Sequence, residues 1–228
     1  MTGVLPLRVA LRREEVLHFL GYPEDREPPA RTASRLDAVL KEARRLVRAR
    51  GAYRLLPPER SHDVGLDLVP SEGLVLGVVT AGAELETRAS ECLRAGDATS
   101  ALLFDAAGSA AAEEAADRLG AIVVAELSGE DPRRAAQEAD QPDAAAPISC
   151  RISPGYGRWQ LSAQEAIFSL LPAAELGVSL APSWLMVPRK SVSFAMWLGA
   201  DARPIAGLSG CSRCQLPHCR YRKEPLRG

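Results

Sequence analysis

The run Asp105-Ala-Ala-Gly-Ser-Ala-Ala-Ala-Glu113 constrains this chain more than any other. Alanine has the highest helix propensity, and a helix built from small side chains lets a neighbouring helix or sheet approach closely. Residues 98–119 therefore predict a helix that serves as the main packing surface. The Asp-Ala-Ala-Gly-Ser stretch looks superficially like a phosphate loop, but it lacks the lysine and the spaced glycines such a loop needs. Leu74-Val-Leu-Gly-Val-Val-Thr80 is an apolar, β-branched run and predicts a buried strand beside it.

Other elements follow from periodicity. Residues 12–20 predict a short amphipathic helix stopped at Gly21, and residues 33–50 predict a stronger one ended by Gly51. The arginines of the second helix (Arg44, Arg45, Arg48 and Arg50) read as a solvated face, with an acidic partner as the alternative. Residues 52–56 and 66–68 predict strands, and 85–95 a helix. Residues 122–127 form a strand or continue the helix before them. Residues 128–147, acidic and rich in alanine and proline, read as a surface excursion or linker. Ser162 and Glu165 have capping-box spacing ahead of a helix over 163–171. Further strands are expected at 176–180, 185–187 and 192–198. Helices and strands interleave without a regular βαβ repeat, which favours an α+β fold. The expected division is an N-terminal helical segment (1–50), an α+β domain (51–200) and a cysteine-rich tail (201–228).

Two polar motifs stand out: Arg151-Ile-Ser-Pro-Gly-Tyr156 and Pro188-Arg-Lys-Ser191-Val-Ser193. In the first, proline fixes one dihedral and glycine permits a reversal and a close ligand approach. Arg151 offers a planar fork of donors and Tyr156 a ring with a hydroxyl tip. A small zwitterion or a nucleotide would suit such a loop; a surface Pro-Gly turn is the plain alternative.

Taken in order, with Leu176-Gly-Val-Ser-Leu180 between them, the motifs resemble the reactivation domain of cobalamin-dependent methionine synthase. The resemblance runs from Arg151 to Trp197. It continues more loosely upstream through Val79-Thr-Ala-Gly-Ala-Glu-Leu-Glu86 and the alanine-rich run. It implies an activation-domain-like fold, a mixed or antiparallel sheet with packed helices. It also implies a protein that binds S-adenosylmethionine and supports reductive methylation of a corrinoid. Arg151 then matches the arginine that pairs with the ligand carboxylate, and Tyr156 the tyrosine beside the sulfonium. Ser153 occupies a position whose backbone contacts the ligand, Pro154 and Gly155 belong to the same binding loop, Glu113 matches an acidic residue near the site, and Ser191 and Ser193 fall in a loop facing the same cleft. The family's N-terminal aspartate has no evident match, and Asp37, Asp63 and Asp67 stay unranked. The cobalamin is expected on a separate corrinoid-binding methyltransferase protein, because this chain has no Asp-x-His-x-x-Gly signature. An electron donor of flavodoxin or ferredoxin type is implied as well.

The C-terminal Cys211-Ser-Arg-Cys214-Gln-Leu-Pro-His-Cys219 departs from that resemblance. Cys-x-x-Cys brings two thiolates to one ion, Cys219 adds a third, and His218 or Cys150 could complete the set. A zinc ion or an iron–sulfur cluster is expected there, with a redox thiol pair as the alternative.

The formal net charge of −1 excludes a global field for nucleic acid or an anionic membrane. No apolar run has the length of a membrane span, and the first 13 residues do not form a secretory signal. A cytoplasmic setting is therefore expected, with its cysteines reduced. There is no Ser-His-Asp set or zinc-hydrolase helix, and His18, His62 and His218 are isolated.

Overall fold

The computed structural model describes residues 3–23, 26–66, 70–129, 148–149, 151–156 and 159–199 of the 228. In chain order these form β1 (Leu5–Pro6), α1 (Arg13–Phe19), α2 (Ala30–Leu46) and β2 (Arg50–Leu56). A 3-10 helix (Pro58–Val64), β3 (Gly73–Thr80), α3 (Glu84–Arg94) and α4 (Ala98–Leu127) follow. The last elements are α5 (Ala163–Leu170), β4 (Ser179–Leu180), β5 (Met186–Val187) and β6 (Ser191–Leu198).

The main sheet has the order β1-β2-β3-β6 with every pair antiparallel; β4 and β5 make a separate two-stranded ribbon. This is the expected α+β architecture. All eight residues of β3 are buried, because it is a central strand covered on both faces. On one face Tyr53, Val75, Val79, Phe194 and Met196 pack against Ala115, Leu119 and Val123 of α4. On the other, Leu74, Leu76, Val78 and Ala195 meet Trp159, Ile167 and Leu176 around α5. The far side of α4 is also covered, by Val16, Leu36, Val39, Leu40 and Leu85 of the first three helices. A helix in a middle layer must be slim, which is what its alanines provide. Its last turn is tied to the sheet by the Tyr53 hydroxyl, which donates to Glu126.

The structure corrects several local expectations. Of the two forms expected for residues 122–127, the structure has the continuation of α4 and not the strand. The second helix ends at Leu46, not Arg50. The Arg48 N–H donates to Ala81 and the Ala49 carbonyl accepts from Leu7, so the chain has already joined the sheet. Gly51 lies inside β2, where a Cβ would come within 2.9 Å of Val79 and 3.1 Å of Leu119; the glycine is set by close packing rather than by a helix end. The boundary expected between 50 and 51 thus falls within one strand, and residues 5–6 add a strand to the same sheet. Arg44 and Arg50 are not simply solvated: they donate to the carbonyls of Leu11 and Leu176. Leu66 lies in no strand, and 67–69 are outside the described residues. Ser162 makes no side-chain cap bond, while Glu165 accepts from the Trp184 indole at 2.7 Å. Among the described residues no helix is long and apolar enough to cross a membrane.

Candidate functional site

Arg151 is delivered by a segment that runs along the outer edge of β6. Ile148 bridges to Leu198 and Ile152 to Ala195, both antiparallel. Four steps separate the two isoleucines but three separate their partners, so this edge carries one extra residue, a bulge. Ile148 consequently packs on the α4 face of the sheet and Ile152 on the α5 face. Arg151, the residue before Ile152, turns toward α4. Its guanidinium lies 5.5 Å from the centroid of the Phe194 ring. That ring fills the space left by Gly77, its cross-strand partner, where a Cβ would collide with three ring carbons.

Two carboxylates of α4 meet the guanidinium. Arg151 Nη2 donates to Asp117 at 2.5 Å and to Glu113 at 3.2 Å. The Arg151 side chain is 9 % exposed, against 41 % for Asp117 and 44 % for Glu113. Burial opposes the charge, but the attraction of Asp117 and then Glu113 outweighs it and holds the guanidinium pKa above its ordinary value. Arg151 Nε is buried and has no acceptor among the described residues.

Asp117 and Glu113 belong to a longer row. Asp105, Ser109, Glu113 and Asp117 recur every fourth residue and so form one stripe on α4. The upper half of the stripe receives Lys190, whose Nζ lies 2.9 Å from both Ser109 Oγ and Asp105 Oδ1. The lysine stem crosses Gly108, where a Cβ would stand 2.9 Å from its Cγ. The Lys190 N–H also donates to Glu86 at 2.8 Å. The Asp-Ala-Ala-Gly-Ser stretch is thus a seat for a lysine.

Beyond Ile152 the chain forms a tight loop. Tyr156 N–H donates to the Ser153 carbonyl at 3.1 Å and Gly155 N–H to the Trp159 carbonyl at 2.8 Å. Pro154 is buried, and Gly155 sits at φ 94°, a left-handed conformation that would strain any residue with a Cβ. The Trp159 indole anchors the loop by donating to Val64 at 2.7 Å. Tyr156, 56 % exposed, projects from this fixed support.

The structure therefore brings Glu113 to Arg151, and the Ser153–Pro154–Gly155–Tyr156 loop follows Arg151 in the chain, anchored through Trp159 on the α5 face. Ser191 and Ser193 differ from expectation: both are buried in β6, not in a loop, and alternation puts them on the face opposite Phe194 and Arg151. Their hydroxyls are occupied, Ser191 by Thr80 at 2.9 Å and Pro188 at 2.8 Å, Ser193 by Gln164 at 3.4 Å. Asp63 pairs with Arg60, and Asp37 lies 4.0 Å from Arg13. Asp67, Cys150, Cys211, Cys214, His218 and Cys219 lie outside the described residues. Asp117 is the acidic partner of Arg151 that the sequence reading missed; its signal was the four-residue spacing from Glu113.

This combination of antiparallel sheet and central helix has a solved counterpart. The fold matches a crystal structure of the MetH reactivation domain bound to AdoHcy, with a TM-score of 0.63 and 18 % identity, over 90 % of this chain and 80 % of that one. The family model described as vitamin B12 dependent methionine synthase, activation domain, matches residues 69–223. The chain belongs to that family. No curated protein matches the sequence.

Proposed function

We propose that this protein binds S-adenosylmethionine at the Arg151–Tyr156 loop and serves as a reactivation subunit for a corrinoid carried by a separate methyltransferase protein. The observation that carries the reading is the pairing of the buried Arg151 with Glu113, just ahead of the fixed Ser153–Tyr156 loop, in a member of the activation-domain family. S-adenosylmethionine bears a carboxylate, an ammonium and a sulfonium, so it needs one cation and acidic or aromatic surroundings. Arg151 supplies the cation, Glu113 faces the ammonium, and the exposed Tyr156 ring suits the sulfonium. Backbone groups of Ser153, Pro154 and Gly155 line the approach.

The reduced cobalt of the corrinoid supplies the nucleophile for the methyl group. This chain's residues bind and orient: a ligand fixed by its amino-acid end leaves the S-methyl group free to point outward. An external donor of flavodoxin or ferredoxin type provides the electron. We assign Cys211, Cys214 and Cys219 to a thiolate site for zinc or an iron–sulfur cluster, a segment that the family match spans.

Calorimetric titration of S-adenosylmethionine into anaerobically purified protein tests the reading. Saturable binding is expected, weakened by about 2 kcal/mol or more in Arg151→Ala, with thermal melting to show that the variant is folded. Visible absorbance of the same sample reports a cluster on the cysteine tail. One observation favours a second reading, a metal-binding module that keeps the fold without S-adenosylmethionine: Asp117 and Glu113 already neutralise Arg151. Absence of binding at millimolar ligand would favour that module.

A further inference from the structure

Arg151 is engaged in an unbalanced way. Both carboxylates fall on Nη2, while Nε, its neighbour on the same edge of the guanidinium, is buried and has no acceptor among the described residues. A carboxylate that engages arginine side-on bonds Nε and Nη2 together, two parallel hydrogen bonds on one edge. That edge is thus half used. One acid would neutralise the cation; the second adds a like charge four residues from the first on the same helix, which is unfavourable. The partners also differ in freedom. Arg151 is pinned by the Phe194 ring and the β6 edge, whereas Asp117 is 41 % exposed and can turn into water.

Taking the S-adenosylmethionine reading as its basis, we propose that Asp117 is a displaceable stand-in for the ligand carboxylate. In the free protein it holds the guanidinium in place at 2.5 Å. On binding, the ligand carboxylate takes the Nε–Nη2 edge, supplies the acceptor that Nε lacks, and moves Asp117 outward. Glu113, at the longer 3.2 Å, remains to face the ligand ammonium. Asp117 is then a positioning residue that sets the selectivity for ligands bearing a carboxylate.

The test compares S-adenosylmethionine with its decarboxylated form in wild type and Asp117→Asn, by calorimetry, with melting curves to confirm folding. Removing the competitor should raise the preference for the carboxylate-bearing ligand about tenfold, because the decarboxylated ligand never contends for that edge. Equal changes for the two ligands, or weaker S-adenosylmethionine binding in the variant, would overturn the proposal and make Asp117 a contact for the cationic groups. Binding of neither ligand to either protein would overturn the S-adenosylmethionine reading itself, and the stand-in role with it.

Discussion

Two basic side chains reach the same stripe of α4 from the β6 side of the sheet, and they meet it differently. Lys190 is closed on every side: its ammonium has Ser109 and Asp105, its stem rests on Gly108, and its backbone N–H is held by Glu86. Arg151, two turns further along the helix, faces more acid than it needs and has one buried donor without an acceptor among the described residues. Matched groups at one corner and unmatched groups at the other accord with a structural clamp at Lys190 and with the binding role proposed for Arg151. A buried donor without an acceptor costs stability, and a ligand carboxylate on the Nε–Nη2 edge would recover that cost.

The largest effect should come from removing the plate beneath the open corner. Phe194 is fully buried between Gly77 and Arg151, and Phe194→Ala should lower the unfolding free energy by about 3 kcal/mol or more. Denaturant unfolding reads that loss, and S-adenosylmethionine affinity should fall with it. A destabilised variant with unchanged affinity would detach the ring from the site. The closed corner should respond in stability alone. Lys190→Met keeps most of the stem over Gly108 but removes the ammonium, at a cost of about 1 kcal/mol. Ligand affinity should not change; a clear loss would place Lys190 in the binding machinery and erase the contrast.

Much of this arrangement could be read from the chain, and the unread parts have physical causes. Small residues marked α4 as a packing helix, and the apolar β-branched run marked β3, because both signals are local. The end of α2 was misread because Gly51 looks like a helix stop, whereas its reason lies in Val79, Leu7 and Leu119, residues remote in sequence. Ser191 and Ser193 were placed by resemblance. Strand alternation alone would have set them opposite Val192 and Phe194, on the other face from Arg151. The turn of Arg151 toward α4 depends on a bulge one residue wide, which leaves no mark in the sequence. Asp117 was legible once the helix was accepted, since Asp105, Ser109, Glu113 and Asp117 share one spacing.

The smallest effect belongs to the start of α4, which fixes the register of the stripe for both corners. Asp97 caps this helix, accepting from the Ser100 N–H at 3.1 Å, and Arg35 Nη1 lies 2.6 Å from its carboxylate. The Ser100 backbone bond, then the Ser100 hydroxyl and Arg35, outweigh desolvation and hold the Asp97 carboxyl below its ordinary range. A carboxyl whose pKa is lower folded than unfolded contributes stability that is complete above the unfolded value, about 4, and is lost as pH falls through the folded value. Asp97→Asn should therefore melt below wild type at neutral pH, and the gap should close as the solution is acidified through that window. Asparagine still caps a helix, so the gap isolates the charge. A gap that stays constant into strong acid would show that Asp97 acts through shape alone, and the stripe would then owe its register to the packing of α4.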